Sequence, residues 1–195
     1  IPLNDRGTGA RAYGEAIATY LGMALSKLVD ASTTLVRWKP SMDQAIATFG
    51  RQALPMVWNY AESNLFNGAA GDYITTLSNM LRVLRERAVF NSGLVFQNDA
   101  STIHKNDSQA KIISTDPPYY DNISYADLSD FFYVWLRHSL ISLYPDIFST
   151  FLVPKLQELV ATPYRFDGSK EKAKKFFEKG LKKSFQRMHE ISNSD

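Results

Sequence analysis

The chain has 195 residues, 45% of them hydrophobic, with 22 basic and 20 acidic side chains and a net charge of +2. This is the composition of an ordinary soluble chain, long enough for one substantial core. The absence of cysteine excludes a disulfide framework and a thiolate metal site, and His104, His138 and His189 stand apart with no ligand spacing, so metal catalysis is not expected. No apolar run approaches the roughly 18 residues of a membrane span, and the first residues carry neither a basic region nor an apolar signal core, so a cytoplasmic location is expected. The sequence starts at Ile1, as a segment of a longer protein would.

Residues 1 to 10, with Pro2, Gly7 and Gly9, read as a loop. From Ala10 to Val29 apolar residues recur at Tyr13, Ile17, Leu21, Ala24 and Leu28, the three-to-four spacing of an amphipathic helix. Thr33 to Trp38 is β-branched and short, a strand or an extended connector, and Pro40-Ser41 introduces a brief helix through Met42, Ala45, Ile46 and Phe49. Pro55 interrupts the run of Leu54, Met56, Val57, Trp58 and Tyr60, so Gln52 to Phe66 reads as a loop or short strand. Asn67 to Asp72, with Gly68 and Gly71, is a turn into a helix through Ile74, Leu77, Leu81, Leu84 and Ala88.

Two short apolar strands are expected next, Gly93 to Gln97 and Lys111 to Thr115, joined by the polar stretch Ser101 to Ala110. Two strands, a polar crossover and a following helix make the pattern of a mainly parallel, doubly wound sheet. Ligands gather at the carboxyl ends of such strands, where Asp99 and Asp116 stand. The expected fold class is α/β, part of a Rossmann-like sheet in residues 93–195, preceded by a helix-rich region in residues 1–92 that serves recognition or is an insertion.

A helix should begin near Ser124, where Ser124 and Asp127 approximate a capping box, with Leu128, Phe131, Phe132, Trp135 and Leu136 as its buried stripe. Pro145, Pro154 and Pro163 make Ser139 to Tyr164 irregular, with room for a short helix near Lys155 to Val160; such a segment borders an active site or is a surface connector. Ser169 to Ile191 reads as a long amphipathic helix with Ala173, Phe177, Leu181, Phe185 and Met188 inward. From Lys170 to Arg187 eight basic residues face two acidic ones, a local +6 that either tracks phosphates or is a solvated face.

The chemistry concentrates at Asp116-Pro117-Pro118-Tyr119. Two prolines fix φ and push the residue before each into an extended conformation, so Asp116 and Tyr119 are held in place in advance. A carboxylate and a proline carbonyl can accept both protons of one exocyclic amine while a tyrosine offers its face, which suits a planar amine such as an adenine turned out of its helix. At about 5% usage per residue type, a given tetrapeptide turns up in a chain this long roughly once in a thousand sequences. The plain alternative is a turn with an N-cap. With its flanks, Tyr120-Asp121-Asn122, Tyr125 to Phe132, and Trp135-Leu136-Arg137, the stretch resembles a subgroup of prokaryotic adenine-specific DNA methyltransferases, long proteins with a poorly characterised extra domain. More loosely, the resemblance runs from Tyr13 through Phe49 to Trp58 and on to Leu152-Val153-Pro154-Lys155 and Glu158 to Ala161.

The resemblance implies methyl transfer from S-adenosylmethionine to the N6 amine of adenine in DNA. Asp116, Pro117, Pro118 and Tyr119 would form the catalytic loop, Tyr120, Asn122 and Tyr125 would line the base pocket, and Asp99 would contact the cofactor's adenine. Tyr120 is equally readable as core. An Asp opening the motif favours adenine over cytosine, and RNA or cytosine N4 amino methylation remains an alternative, as does a non-catalytic nucleic-acid-binding module. The family's glycine-rich cofactor loop has two poor counterparts, Arg6-Gly7-Thr8-Gly9 and Phe66 to Gly71, each more like a turn. The resemblance places that loop upstream, in a missing N-terminal part.

Overall fold

A computed structural model describes residues 1–69, 71–86, 93, 95–103 and 112–192, and its regular structure is mostly helical. The chain divides into two units, one formed by Ile1–Phe90 with Ala126–Lys155 and the other by Asn91–Tyr125 with Leu156–Asp195.

In the first unit α1 spans Ala10–Val29, the expected bounds, but the face it buries is the one carrying Ala12, Gly22, Ala24, Leu28 and Val29. Tyr13, Ile17 and Leu21, expected inward, are exposed. Small residues win the buried side because a second helix approaches closely: a Cβ on Gly22 would lie 3.0 Å from Leu140 Cδ1. That leucine closes α3 (Tyr125–Leu140), whose own core is Tyr133 and Leu140 against Phe148, with Leu136, Ile141, Tyr144 and Val153 around them. The expected stripe of α3 is thereby rotated. Tyr133, absent from it, is buried, and Trp135 is exposed, because the segment that follows the helix folds back over the Tyr133 side. The Tyr133 hydroxyl donates to the Thr150 carbonyl at 2.9 Å, and Asp130 accepts the Val153 N–H at 2.9 Å and the Lys155 ammonium at 2.6 Å.

The helix expected through Met42 to Phe49 does not form. Pro40–Met42 is a single 3-10 turn stopped by Asp43 in the left-handed region at φ 48°, and it joins β1 (Trp38–Lys39) to β2 (Gln44–Ala45). Phe49 packs instead on Phe131 and Phe132 of α3, ring centroids 5.2 and 5.5 Å away. Beneath the hairpin, Val36 and Thr48 are fully buried, and the Thr48 hydroxyl is satisfied by the Asp30 carbonyl at 2.7 Å. α2 spans Tyr73–Glu86; the stripe residue Ala88 lies outside the described residues. Its first turn is capped by Asp72, which accepts the Thr75 N–H at 2.6 Å. That N–H above all holds the Asp72 carboxyl below its ordinary 3.8, with the Thr75 hydroxyl and the Gly68 and Ile74 N–H groups acting in the same direction.

The expected Rossmann-like parallel sheet is overturned. Among the described residues the one sheet is two-stranded and antiparallel, with Trp38 opposite Ala45 and Lys39 opposite Gln44. Gly93, Val95 to Gln97 and Ile112 to Thr115 have no regular structure; Leu94 and Lys111, and residues 104–110 of the expected crossover, lie outside the described residues. A strand exists only where a neighbour takes its N–H and C=O groups, and an apolar run does not supply that neighbour. Val95 and Ile112, 95% and 86% exposed, show the consequence: among the described residues neither a partner strand nor a covering helix reaches them.

The second unit is built on α4 (Lys170–Ser192), close to the expected range. Ala173 and Phe177 are buried with Ala161 and flanked by Leu159, Phe166 and Leu181, whereas Phe185, expected inward, is exposed and Ile191 is buried in its place. No helix forms at Lys155 to Val160; the chain makes a 3-10 turn at Pro163–Phe166 instead, where proline presets φ. An ion pair of Arg165 with Glu158 at 2.7 Å ties that turn to the preceding segment. No helix among the described residues is long and apolar enough to cross a membrane.

Candidate functional site

From Ile112 to Tyr119 the second unit runs without regular structure and then turns at Tyr120 and Asp121. The prolines account for Asp116 to Pro118, since neither can donate to a ladder and each holds its predecessor extended. Tyr120 explains the turn. It sits in the left-handed region at φ 49°, a conformation that a bulky side chain enters only when its surroundings compel it.

Those surroundings are two contacts. The Tyr120 carbonyl accepts the N–H of Ala161 at 2.9 Å, and its ring meets Phe177 of α4 edge-on, centroids 5.1 Å apart at 81°. Tyr120 therefore anchors the loop to α4 through its carbonyl and ring edge, while the residue itself stays exposed. The Asn122 N–H donates to the Tyr119 carbonyl at 3.0 Å and closes the turn, and the Asn122 side chain is exposed.

On the outer side of this anchor Asp116 and Tyr119 come together. The Tyr119 hydroxyl donates to Asp116 Oδ1 at 3.3 Å, and both residues are exposed. The negative charge of Asp116, and next the hydrogen bond to it, push the Tyr119 phenol above its ordinary 10.0, with Tyr125 acting in the same direction. At neutral pH the phenol keeps its proton and remains a donor. Asp116, Tyr119 and Tyr125 are thus neighbours, with Pro117 exposed between the first two and Pro118 half-buried. What they present to solvent is a carboxylate, an exposed proline and exposed aromatic rings. That set can bind a planar donor by its edge and its face.

Asp99 is placed differently. Its Oδ1 accepts the Ser101 N–H at 2.8 Å and its carbonyl the Thr102 N–H at 2.9 Å, so it organises its own turn. The Ser101 N–H first, then the Ser101 hydroxyl and the Lys183 ammonium, hold its carboxyl below the ordinary 3.8. Its carboxylate is already engaged, and no described contact joins it to Asp116 or Tyr119.

Among the described residues the two glycine stretches form no complete cradle for S-adenosylmethionine. A glycine cradle for a cofactor leaves open the space that a Cβ would fill, with backbone N–H groups free to face the ligand. At Gly7 that space is taken by the chain itself, since a Cβ there would collide with the Ile1 carbonyl oxygen, whereas Gly9 opens onto free space. Gly68 and Gly71, at φ 78° and 92°, shape the turn before α2, where the Gly68 N–H is spent on the Asp72 carboxylate. Ala70, between them, lies outside the described residues.

Sequence reasoning missed Ala161 and Phe177 as residues that hold the loop. Phe177 was legible only as one member of a helical stripe; the contact with Tyr120 spans 57 positions and leaves no local trace. Among the described residues no cluster of His, Asp and Glu is arranged to hold a metal ion. The chain matches no protein-family model, no curated protein and no solved structure.

Proposed function

We propose that this chain carries the base-holding part of an enzyme that methylates the exocyclic N6 amine of adenine in DNA. The observation that carries the reading is the Asp116 to Tyr119 loop itself. Its carboxylate faces solvent on a turn held by a left-handed Tyr120, and an O–H donor from Tyr119 already lies against it at 3.3 Å. An adenine amine placed there would give one proton to Asp116 and the other to the Pro117 carbonyl. Those bonds draw the nitrogen lone pair out of conjugation with the ring, and they strengthen as positive charge develops on the nitrogen. Tyr119 stacks on the base, a contact worth about 1–3 kcal/mol in single-strand binders. The methyl donor comes from the resemblance alone, and the described residues do not build its pocket.

A specific observation favours a second reading, a nucleic-acid-binding module without catalysis: the Gly7 and Gly68 N–H groups are spent on the chain itself, on the Pro2 carbonyl and the Asp72 carboxylate. Calorimetric titration with S-adenosylmethionine, followed by methylation assays on adenine-containing DNA with RNA as competitor, separates the two. N6-methyladenine that disappears in Asp116→Ala supports the enzyme. DNA binding without cofactor binding or product supports the module. Preference for RNA overturns the choice of polymer while leaving the base pocket in place.

A further inference from the structure

Apart from the loop, the strongest asymmetry in the second unit is on α4. At 100° per residue, Lys172, Lys175, Lys179 and Lys182 fall within about 80° of arc and span about 15 Å along the axis. All four are exposed, and they lie opposite Ala173 and Phe177, the residues α4 buries. Among the described residues Lys172, Lys179 and Lys182 have no ion-pair partner, and Lys175 has only Glu171, 2.8 Å away on side chains that are both about three-quarters exposed. Such a pair contributes little and yields readily to another anion. The four charges therefore stand in a row with little to neutralise them except solvent ions.

We propose that this lysine row is a DNA-backbone contact, holding phosphates of the polymer whose base is presented to the Asp116 to Tyr119 loop. The proposal rests on the base-holding reading above. Two observations select a nucleic acid among polyanions. A membrane-surface helix inserts its apolar face, whereas the central apolar face of α4 is already covered by Ala161, Leu159 and Phe166 of its own unit. In addition, α4 holds the loop directly, through Phe177 against Tyr120, so phosphate contacts and base contacts belong to one scaffold. Because the row faces away from Phe177, it holds phosphates flanking the target rather than those of the target nucleotide. Its contribution is to affinity and association, independent of sequence.

The test is fluorescence anisotropy of labelled duplexes, with and without adenine, against the protein and against a Lys172→Gln, Lys175→Gln, Lys179→Gln, Lys182→Gln variant, over a salt series. Glutamine keeps helix propensity, and far-UV circular dichroism confirms that α4 persists. Each neutralised phosphate adds about −0.9 to the slope of log affinity against log salt, so four contacts contribute about −3.6, and the variant should lose about that much slope. It should bind free adenosine as the parent does, and any methylation should show a raised KM with kcat retained. Asp116→Ala should behave oppositely, keeping the salt slope and losing the preference for adenine-containing DNA. An unchanged slope in the lysine variant overturns the proposal even if adenine preference survives. Displacement of DNA by polyglutamate at equal charge, or tighter binding to phosphatidylserine vesicles than to DNA, overturns it in favour of an acidic protein or a lipid surface. A steep lysine-dependent slope without adenine preference keeps the row and removes the base-holding reading.

Discussion

At Tyr119 one hydroxyl and one ring have opposing effects on the same site. The hydroxyl occupies Asp116 Oδ1, which an incoming amine needs, whereas the ring is the stacking surface. Tyr119→Phe should therefore tighten binding of an adenine-containing oligonucleotide, by about two- to threefold for an exposed hydrogen bond, and Tyr119→Ala should weaken it roughly tenfold or more. Anisotropy on both variants checks this, and weaker binding by Tyr119→Phe would show that the hydroxyl helps the base rather than competing with it. Tyr120 makes a second opposition. Tyr120→Gly removes the left-handed strain at φ 49° but also the ring contact with Phe177, and Tyr120→Ala removes the contact and keeps most of the strain. If the loop is held by that contact, both variants lose adenine binding, and the glycine variant loses less stability in thermal unfolding.

For the helices, capping and facing are separate matters. α2 begins at Tyr73 because Asp72, 2% exposed, accepts N–H groups from both the turn before it and the first turn within it. Its folded carboxyl lies below the ordinary 3.8, so the stabilisation is complete above 3.8 and is lost as pH falls through the depressed folded value. Hydrogen exchange should show α2 amides loosening in that acid range ahead of α4 amides. Asp72→Ala should lower α2 protection by roughly fivefold at neutral pH and abolish the acid step. The faces of α1, α3 and α4 obey a different rule. Each helix was recognisable from three-to-four spacing, yet each turned a partly different set of residues inward. Periodicity fixes that a stripe exists, and the neighbour that arrives fixes which stripe is covered. Gly22 beneath Leu140 and Tyr133 beneath Thr150 are such arrivals, separated in sequence by 118 and 17 positions.

At the scale of the chain, each unit has its own core, Tyr133, Leu140 and Phe148 in one and Ala161, Ala173 and Phe177 in the other. All three tryptophans, Trp38, Trp58 and Trp135, belong to the first unit. Leu140→Ala, at a site 5% exposed, should cost about 2–5 kcal/mol and lower the denaturant midpoint seen by tryptophan fluorescence. Phe177→Ala, of similar cost, should leave that fluorescence midpoint in place and shift the circular dichroism of α4. A common shift of both signals in both variants would mean that the units unfold as one.

The sequence by itself determined where the long helices lie, because their spacing, the polar turn before α2 and the prolines after α3 are local features. It also determined the preset Asp116 to Tyr119 loop, since the geometry of consecutive prolines needs no distant partner. Only the tertiary structure decided that Val95 and Ile112 stand exposed rather than paired, that Tyr120 is an anchor on Phe177, and that the Lys183 ammonium acts on the Asp99 carboxylate. A strand, an anchor and an available carboxylate are each defined by what else comes within hydrogen-bonding or van der Waals range. A residue's own identity fixes what it can offer, and the fold settles what accepts it.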